Sequence, residues 1–214
     1  SKYEASKLHR QVYVTQRVKT INESIYYNVD AIHTAIAENS QITFQYFQWN
    51  VKKEMELRKG GALYRVSPWA LSCDDENYYM IAYDDVEEKI KHFRVDKMLH
   101  IEMNGKKREG KQVFQCFDIA VYSRKMFGMY GGKEEYVHIK CDNSLAGVMI
   151  DRFGKDVSMV RLDEEHFVTN VEVSVSRQFL AWVIGLGEGV TILGPQSVVD
   201  MMKEEIKRLT NQYE

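Results

Sequence analysis

The sequence has few of the features that mark membrane, secreted or thiolate-metal proteins. No apolar run approaches the roughly 18 residues that cross a bilayer, and the opening segment SKYEASKLHR lacks the apolar centre of a secretory signal. Its three cysteines, Cys73, Cys116 and Cys141, form no C-x-x-C pair, so neither a disulfide framework nor a thiolate metal site is indicated. We therefore expect a cytoplasmic protein with reduced cysteines and no membrane partner.

The sequence also lacks the motifs of the best-known enzyme chemistries. It contains no G-x-S-x-G, no H-E-x-x-H and no P-loop. The glycines of GLGEGV (185–190) end a predicted helix and lead into a strand, whereas a dinucleotide-binding loop leads from a strand into a helix. His138 and Cys141 point to opposite faces of a strand and have no partner pair. We therefore predict no catalytic residues, no metal and no cofactor, and a protein that is not an enzyme.

Basic residues are concentrated in one stretch, although the formal net charge of −2 gives no overall attraction for nucleic acid. Residues 89–111 contain three acidic residues and eight basic ones, namely Lys89, Lys91, Arg94, Lys97, Lys106, Lys107, Arg108 and Lys111. Alternation along a strand places His92 and Arg94 on one face, where aromatics such as Tyr46 and Tyr79 could stack bases beside the cations. The alternative interpretation is a strand and linker with solubilising lysines, and aromatics that fill a core.

The first half of the chain reads as one helix followed by a run of short strands. Residues 1–27 are polar and typical of a connecting arm, and Asn28 offers an N-cap to the helix NVDAIHTAIAEN. NGKKREGKQ (104–112) carries no apolar residue, so we place a domain boundary there. The pattern predicts a small β-barrel or sandwich, whose strands are rich in β-branched and aromatic residues and lie at 41–49, 63–68, 78–84, 89–95 and 98–103.

The second half alternates strands with helices after an adaptor helix around 118–127. Strands are predicted at 134–141, 156–162, 166–175 and 190–193. Helices are predicted from Ser144 to Gly154, from Ser176 to Gly187 and from Pro195 onward, with serine N-caps on the first two. The order βαββαβ plus a helix is the ferredoxin-like arrangement, which makes the whole chain α+β.

At this point the sequence resembles a known family. The run YRVSPWALSCDDENYYMIAYDDVEEKIKHFRVDKM (64–98) is similar to the core of a WYL domain, whose name-giving Trp-Tyr-Leu triplet here reads Tyr78-Tyr79-Met80. ITFQY (42–46), the V-x-P element at Val66–Pro68 and an R-x-F-R-x-D-R-like segment at Lys91–Lys97 are its other marks. Residues 134–210 are similar to the C-terminal extension that commonly follows a WYL domain. The resemblance covers roughly residues 28–210.

The resemblance implies an Sm- or SH3-like WYL barrel with a leading helix, joined to the ferredoxin-like extension. It divides the chain into a connecting arm (1–27), a WYL domain (28–103), a linker and adaptor helix (104–133) and a C-terminal extension (134–214). The family usually carries a winged helix-turn-helix upstream, which binds promoter DNA. Because the chain begins with Ser rather than Met, we expect it to be part of a longer protein whose winged helix lies upstream.

The resemblance also implies a function and a site. We expect the effector-sensing and dimerising part of a bacterial transcription regulator that forms a homodimer. Its WYL barrel would bind a nucleic-acid fragment or nucleotide through Tyr46, Arg65, Ser67, Lys91, His92, Arg94 and Lys97. Three alternatives are a single-stranded nucleic-acid-binding accessory protein, a nucleotide enzyme, and a structural dimerisation module with an inert barrel.

Overall fold

A computed structural model describes residues 24–74, 77–115 and 118–214, which form a mixed α/β chain with two antiparallel sheets. The helices are α1 (Ser24–Ala37), α2 (Lys111–Phe114), α3 (Ile119–Lys125), α4 (Ala146–Phe153), α5 (Arg177–Gly185) and α6 (Gln196–Tyr213). The strands are β1 (Ser40–Trp49), β2 (Met55–Leu57), β3 (Tyr64–Asp74), β4 (Asn77–Asp84), β5 (Lys89–Arg94), β6 (Met98–Lys107), β7 (Lys133–Asp142), β8 (Met159–Arg161), β9 (His166–Val175) and β10 (Val190–Gly194). None of the helices in these ranges is long and apolar enough to cross a membrane.

The first sheet is a curled half-barrel that is organised around β1. Its strand order is β2-β1-β3-β4-β5, and β6 also pairs with β1, from Ser40 to Tyr46. Alternate residues of β1 point inward, so that Ile42, Phe44 and Tyr46 enter the core against the ring of Phe93 and the α1 residue Ile32. The sheet cannot lie flat while β1 pairs with three strands and α1 covers its inner face.

Helix α1 begins earlier than the sequence predicts. Because it starts at Ser24, Asn28 lies inside the helix and is not its N-cap. The side-chain amide of Asn28 instead donates hydrogen bonds to the carbonyl oxygens of Val95 (3.0 Å) and Met98 (2.9 Å). These contacts are about seventy residues away in sequence, which is why the local pattern could not reveal them. The predicted arm lies outside the described residues up to position 23, and its last four residues belong to α1.

Strand β6 extends into the stretch predicted as a linker. It continues to Lys107, which pairs with Ser40 of β1. Residues 104–107 need no apolar side chain, because backbone pairing with β1 supports them while their side chains stay largely exposed. The predicted domain boundary itself stays a prediction.

The second sheet has the strand order β10-β7-β9-β8, and all its pairings are antiparallel. From β7 to α6 the elements follow the order that the sequence predicts. The predicted strand 156–162 shortens to the three residues of β8. Alternate residues of β7 and β9 form an apolar core with the helices, to which Met149, Phe179 and Val198 contribute from α4, α5 and α6.

The predicted serine caps of this half have different outcomes. Ser176 caps α5, since its hydroxyl accepts a hydrogen bond from the Phe179 amide at 3.3 Å. The prediction for Ser144 is wrong: it lies in a 3-10 turn over Asn143–Leu145, and Leu145 precedes α4 without a side-chain cap. A 3-10 turn already supplies backbone hydrogen bonds there, so no hydroxyl is needed.

Helix α3 connects the two sheets. Asp118 caps it by accepting hydrogen bonds from the Ala120 and Val121 amides. On one side the hydroxyls of Ser123 and Ser72 of β3 lie 3.1 Å apart. On the other side Lys125 is 2.9 Å from a carboxylate oxygen of Glu134 and 2.9 Å from one of Glu172, so α3 contacts both halves.

Candidate functional site

Lys91, a basic residue of the predicted site, is paired with two carboxylates. The Nζ of Lys91 lies 2.5 Å from carboxylate oxygens of both Asp84 and Glu87. Burial alone would lower the pKa of Lys91, but the hydrogen bonds that Lys91 donates to Asp84 and Glu87 outweigh it and raise that pKa. The charge of Lys91 is therefore fixed and locally neutralised, and this lysine is poorly placed to bind a phosphate.

His92 faces the adaptor helix. Its Nε2 lies 3.1 Å from the hydroxyl oxygen of Tyr122. Burial lowers the pKa of His92 to about 4, against a smaller opposing effect of a hydrogen bond with the Met129 backbone. His92 is therefore neutral at physiological pH, so it contacts α3 through Tyr122 and adds no positive charge to the site.

Arg94 lies at the end of β5, opposite Tyr79 of β4. Its Nε and Nη2 donate to the two carboxylate oxygens of Asp96, at 3.0 and 2.8 Å. This bidentate pair raises the pKa of Arg94. About a third of the side chain is exposed (34%), which leaves its remaining donors accessible to a ligand.

Lys97 lies within electrostatic reach of both Arg94 and Arg58, and a further cation, Lys59, lies over the Tyr64 ring that packs beside Tyr46. Arg58 lies 5.9 Å from the centre of the Tyr46 ring, and Lys59 lies 4.4 Å from the centre of the Tyr64 ring. Burial lowers the pKa of Lys97, and the neighbouring charges of Arg94 and Arg58 lower it further, against an opposing effect of Asp96. We call Arg58, Lys59, Arg94 and Lys97 the basic cluster.

Tyr46 supports the cluster from inside the core. Only 8% of it is exposed, and its ring packs within 5.7 Å of Phe93 and 5.9 Å of Tyr64, measured between centroids. Its hydroxyl accepts a hydrogen bond from the Arg94 backbone amide at 3.1 Å, and burial raises the pKa of Tyr46 to about 12. Tyr46 therefore fixes β5 and has no free face on which a base could stack, whereas Tyr79 is only half-buried.

Two predicted site residues lie away from the cluster. Arg65 is exposed on the outer side of β3, since its neighbours Tyr64 and Val66 point into the core. Ser67 is fully buried, and its hydroxyl accepts a hydrogen bond from the Glu109 amide at 2.9 Å. It also lies 3.4 Å from Nε2 of Gln41, from which it accepts a second bond. Ser67 therefore secures the segment after β6.

The structure thus brings together Tyr46, Arg94 and Lys97 from the predicted set. Sequence reasoning missed Arg58 and Lys59, which lie in a turn between β2 and β3 where Lys59 and Gly60 have φ values of 52° and 61°. A basic pair followed by two glycines between two strands was the available signal. No group of His, Cys, Asp or Glu side chains within the described ranges is arranged to hold a metal.

The second half contains an apolar groove of about 500 Å³ between α5, β10 and α6. Val183, Ile192, Met202, Ile206 and Leu209 line it. No predicted site residue reaches this groove, and its lining lacks the cation density that a polyanion requires. The basic cluster is therefore the better candidate for an anionic ligand.

Comparisons with known proteins agree with the division into two sheets. Residues 27–103 match the WYL domain, and residues 133–210 match the WCX domain. Among solved structures, proteasome accessory factor B/C (PafBC) of Arthrobacter aurescens is similar, with a TM-score of 0.36 and 20% identity over 93% of this chain. This chain spans 29% of that structure's chain, and no curated protein matches. The chain therefore contains a WYL domain followed by a WCX domain.

Proposed function

We propose that this chain is the effector-sensing part of a WYL-domain transcription regulator, and that the basic cluster binds a nucleic-acid fragment or a nucleotide. The observation that carries the proposal is that Arg58, Arg94 and Lys97 lie within electrostatic reach of one another, with Lys59 on the neighbouring Tyr64 ring and Asp96 as the carboxylate paired to Arg94. Guanidinium and ammonium groups near one another, beside the half-buried ring of Tyr79, suit phosphates that carry bases.

The proposal includes the parts of the regulator that accompany such a sensor. We interpret the half-barrel as Sm-like and the second half as ferredoxin-like, which its β10-β7-β9-β8 order supports. We further propose a homodimer whose upstream winged helix-turn-helix binds promoter DNA. A ligand that binds one arrangement of the protomers more tightly would shift the dimer toward it.

We propose binding without turnover, because three groups of the predicted site that could transfer protons already have partners. Arg94 pairs with Asp96, and Lys91 pairs with Asp84 and Glu87. His92 is neutral, and its ring nitrogen contacts the Tyr122 hydroxyl. A general acid or base needs both a suitable pKa and access to the reacting atom. The ligand then acts as a switch.

The first test is binding of a fluorescein-labelled single-stranded oligonucleotide of about ten nucleotides, followed by anisotropy across a salt series. We expect saturable binding that weakens with salt. Arg94→Glu should abolish it, because the substitution places a second carboxylate beside Asp96. The matched control is Arg65→Glu, which makes the same charge change on the outer side of β3 and should leave affinity within about twofold.

Equal losses in Arg94→Glu and Arg65→Glu would contradict the assignment to the cluster and indicate a diffuse charge effect. Binding of neither the oligonucleotide nor mononucleotides by the parent protein at low salt would overturn the proposed function.

A single-stranded nucleic-acid-binding accessory protein is the second candidate. It is favoured by Tyr79, which is half-buried beside Arg94, and by Tyr130, which is 57% exposed in the segment before β7. The two functions differ in what binding changes. If this chain is a sensor, adding the oligonucleotide should change how much promoter DNA the longer protein with the winged helix-turn-helix binds. If it is an accessory protein, no promoter DNA should be bound.

A further inference from the structure

Asp96 occupies the edge of Arg94 that a phosphate would use. Its two carboxylate oxygens accept hydrogen bonds from Nε and Nη2 of Arg94, at 3.0 and 2.8 Å. This side-on, two-bond arrangement is the one in which guanidinium groups also bind phosphate oxygens. The side chain of Asp96 is 14% exposed and that of Arg94 is 34% exposed, so the pair lies at the rim of the basic cluster where an incoming anion reaches it.

The backbone holds this carboxylate in place. Asp96 is the middle residue of a 3-10 turn over Val95–Lys97, and Val95 is fully buried in the core of the half-barrel. The carbonyl oxygen of Val95 accepts a hydrogen bond from the Asn28 amide of α1 at 3.0 Å. The same amide donates to the carbonyl oxygen of Met98, directly after the turn, so both ends of the turn are fixed and the backbone holds Asp96 beside Arg94.

We infer that Asp96 is an internal competitor, an aspartate that stands in for a phosphate on Arg94 and sets an affinity threshold for the ligand. This inference rests on the proposed function of the basic cluster. An anion that takes the side-on edge of Arg94 exchanges one charge-assisted pair for another and gains little. A ligand with several phosphates gains from Arg58, Lys59 and Lys97 as well, and it overcomes the threshold that a single anion does not.

A different role for Asp96 predicts the opposite sign. If the carboxylate only orients Arg94 for a ligand bound at the remaining donors, its removal leaves the guanidinium mobile and weakens binding. If Asp96 competes, its removal strengthens binding. The direction of the change in affinity therefore separates the two roles.

The experiment measures the affinity of two probes, adenosine monophosphate and the labelled oligonucleotide, for the parent protein and for Asp96→Asn. Asparagine keeps an acceptor oxygen and the shape of the side chain but removes the charge. We expect both probes to bind about tenfold more tightly. A change of this size corresponds to the free energy of about one charge-assisted hydrogen bond. Glu56→Gln is the matched control, because this exposed carboxylate lies two residues from Arg58 and has no contact with Arg94. It should change affinity by about twofold or less.

A double-mutant cycle ties the effect to Arg94. In the Arg94→Gln background the gain from Asp96→Asn should disappear, because no guanidinium remains for which the carboxylate competes. Weaker binding in Asp96→Asn, or a tenfold gain that persists without Arg94, would overturn the inference and leave the proposed function standing. If neither protein binds either probe, the proposed function fails and this inference fails with it. Thermal melting of each variant verifies that the fold is retained.

Discussion

Lys91 and Lys97 belong to the same basic segment, and their surroundings give them different chemistry. Lys91 is bound by Asp84 and Glu87, whereas Lys97 faces two other cations and a single neighbouring carboxylate. A lysine whose neighbours are cations gains more when a phosphate arrives than one that already has two carboxylates. The sequence lists both residues as basic, but which acid each one meets depends on strand register.

Ser67 gives a prediction at the scale of a single residue. Ser67→Ala removes the acceptor of the Glu109 amide and of the Gln41 side chain in a fully buried place. We expect the free energy of unfolding in urea to fall by about 1–3 kcal/mol, since buried donors lose their partner. Oligonucleotide affinity should not change, because Ser67 lies away from the basic cluster.

Ser158→Ala is the control, since Ser158 is exposed and its loss should cost about 0.5 kcal/mol or less. A Ser67→Ala variant with parental stability and lost oligonucleotide binding would reverse the assignment and return Ser67 to the ligand site.

At the scale of elements, three strands of the first half match the predicted segments closely. β1, β4 and β5 lie within about one residue of their predicted bounds, because each is a run rich in β-branched and aromatic residues that ends at polar or charged residues. β6 and β8 differ. β6 is extended by backbone pairing with β1, which leaves no hydrophobic signature, and β8 keeps only the residues that pair with β9.

The contact between β5 and α3 gives a pH prediction. The usual pKa of a histidine is near 6.5, and burial lowers that of His92 to about 4. Between pH 6.5 and pH 4, His92 is therefore protonated in the unfolded chain and neutral in the folded chain. Folding stability from this group is fully present above pH 6.5 and is lost as pH falls toward 4. We expect the free energy of unfolding to drop by about 1–2 kcal/mol between pH 7 and pH 5 from this residue.

The measurement is the difference between the parent protein and His92→Gln in urea unfolding at the two pH values. Glutamine cannot be protonated, so the variant should lose this part of the pH dependence. His33→Gln, on the exposed side of α1, should keep it. Identical pH dependence in all three proteins would show that His92 is accessible to protons in the folded state.

At the scale of the whole molecule, the segment after β6, which leads from one sheet toward the other, packs against the half-barrel. The ring of Trp69 stacks on Phe114 of α2 with centroids 4.9 Å apart, and its Nε1 donates to the Glu109 carbonyl oxygen at 2.8 Å. The Arg108 guanidinium lies 4.1 Å from the centre of the same ring and donates to the Pro68 carbonyl oxygen. Trp69 is therefore the main contact that holds this segment against the half-barrel.

Trp69→Ala should make the segment accessible to trypsin, which cleaves after lysine and arginine. We expect cleavage within residues 106–111 to accelerate by about tenfold or more relative to the parent protein. The variant has lost the stacking and cation–π contacts of Trp69, so opening of the segment costs less free energy. Peptide mapping identifies the cleaved bonds, and Trp49→Ala, at the exposed end of β1, is the control. Acceleration confined to other sites would contradict this role of Trp69.

Most of the elements and their order follow from local sequence patterns, because hydrophobic periodicity and turn residues act over a few neighbouring positions, although β2 was not predicted. The sequence also identified the WYL resemblance and located Arg94 and Lys97 in a basic segment. Which of these charges remain available depends on the folded chain. Strand register and curling place Arg58 near Lys97 and Arg94, pair Lys91 with Asp84, and bury His92 against Tyr122 of α3. Electrostatic environment depends on distances across the fold, and residues far apart in sequence set those distances.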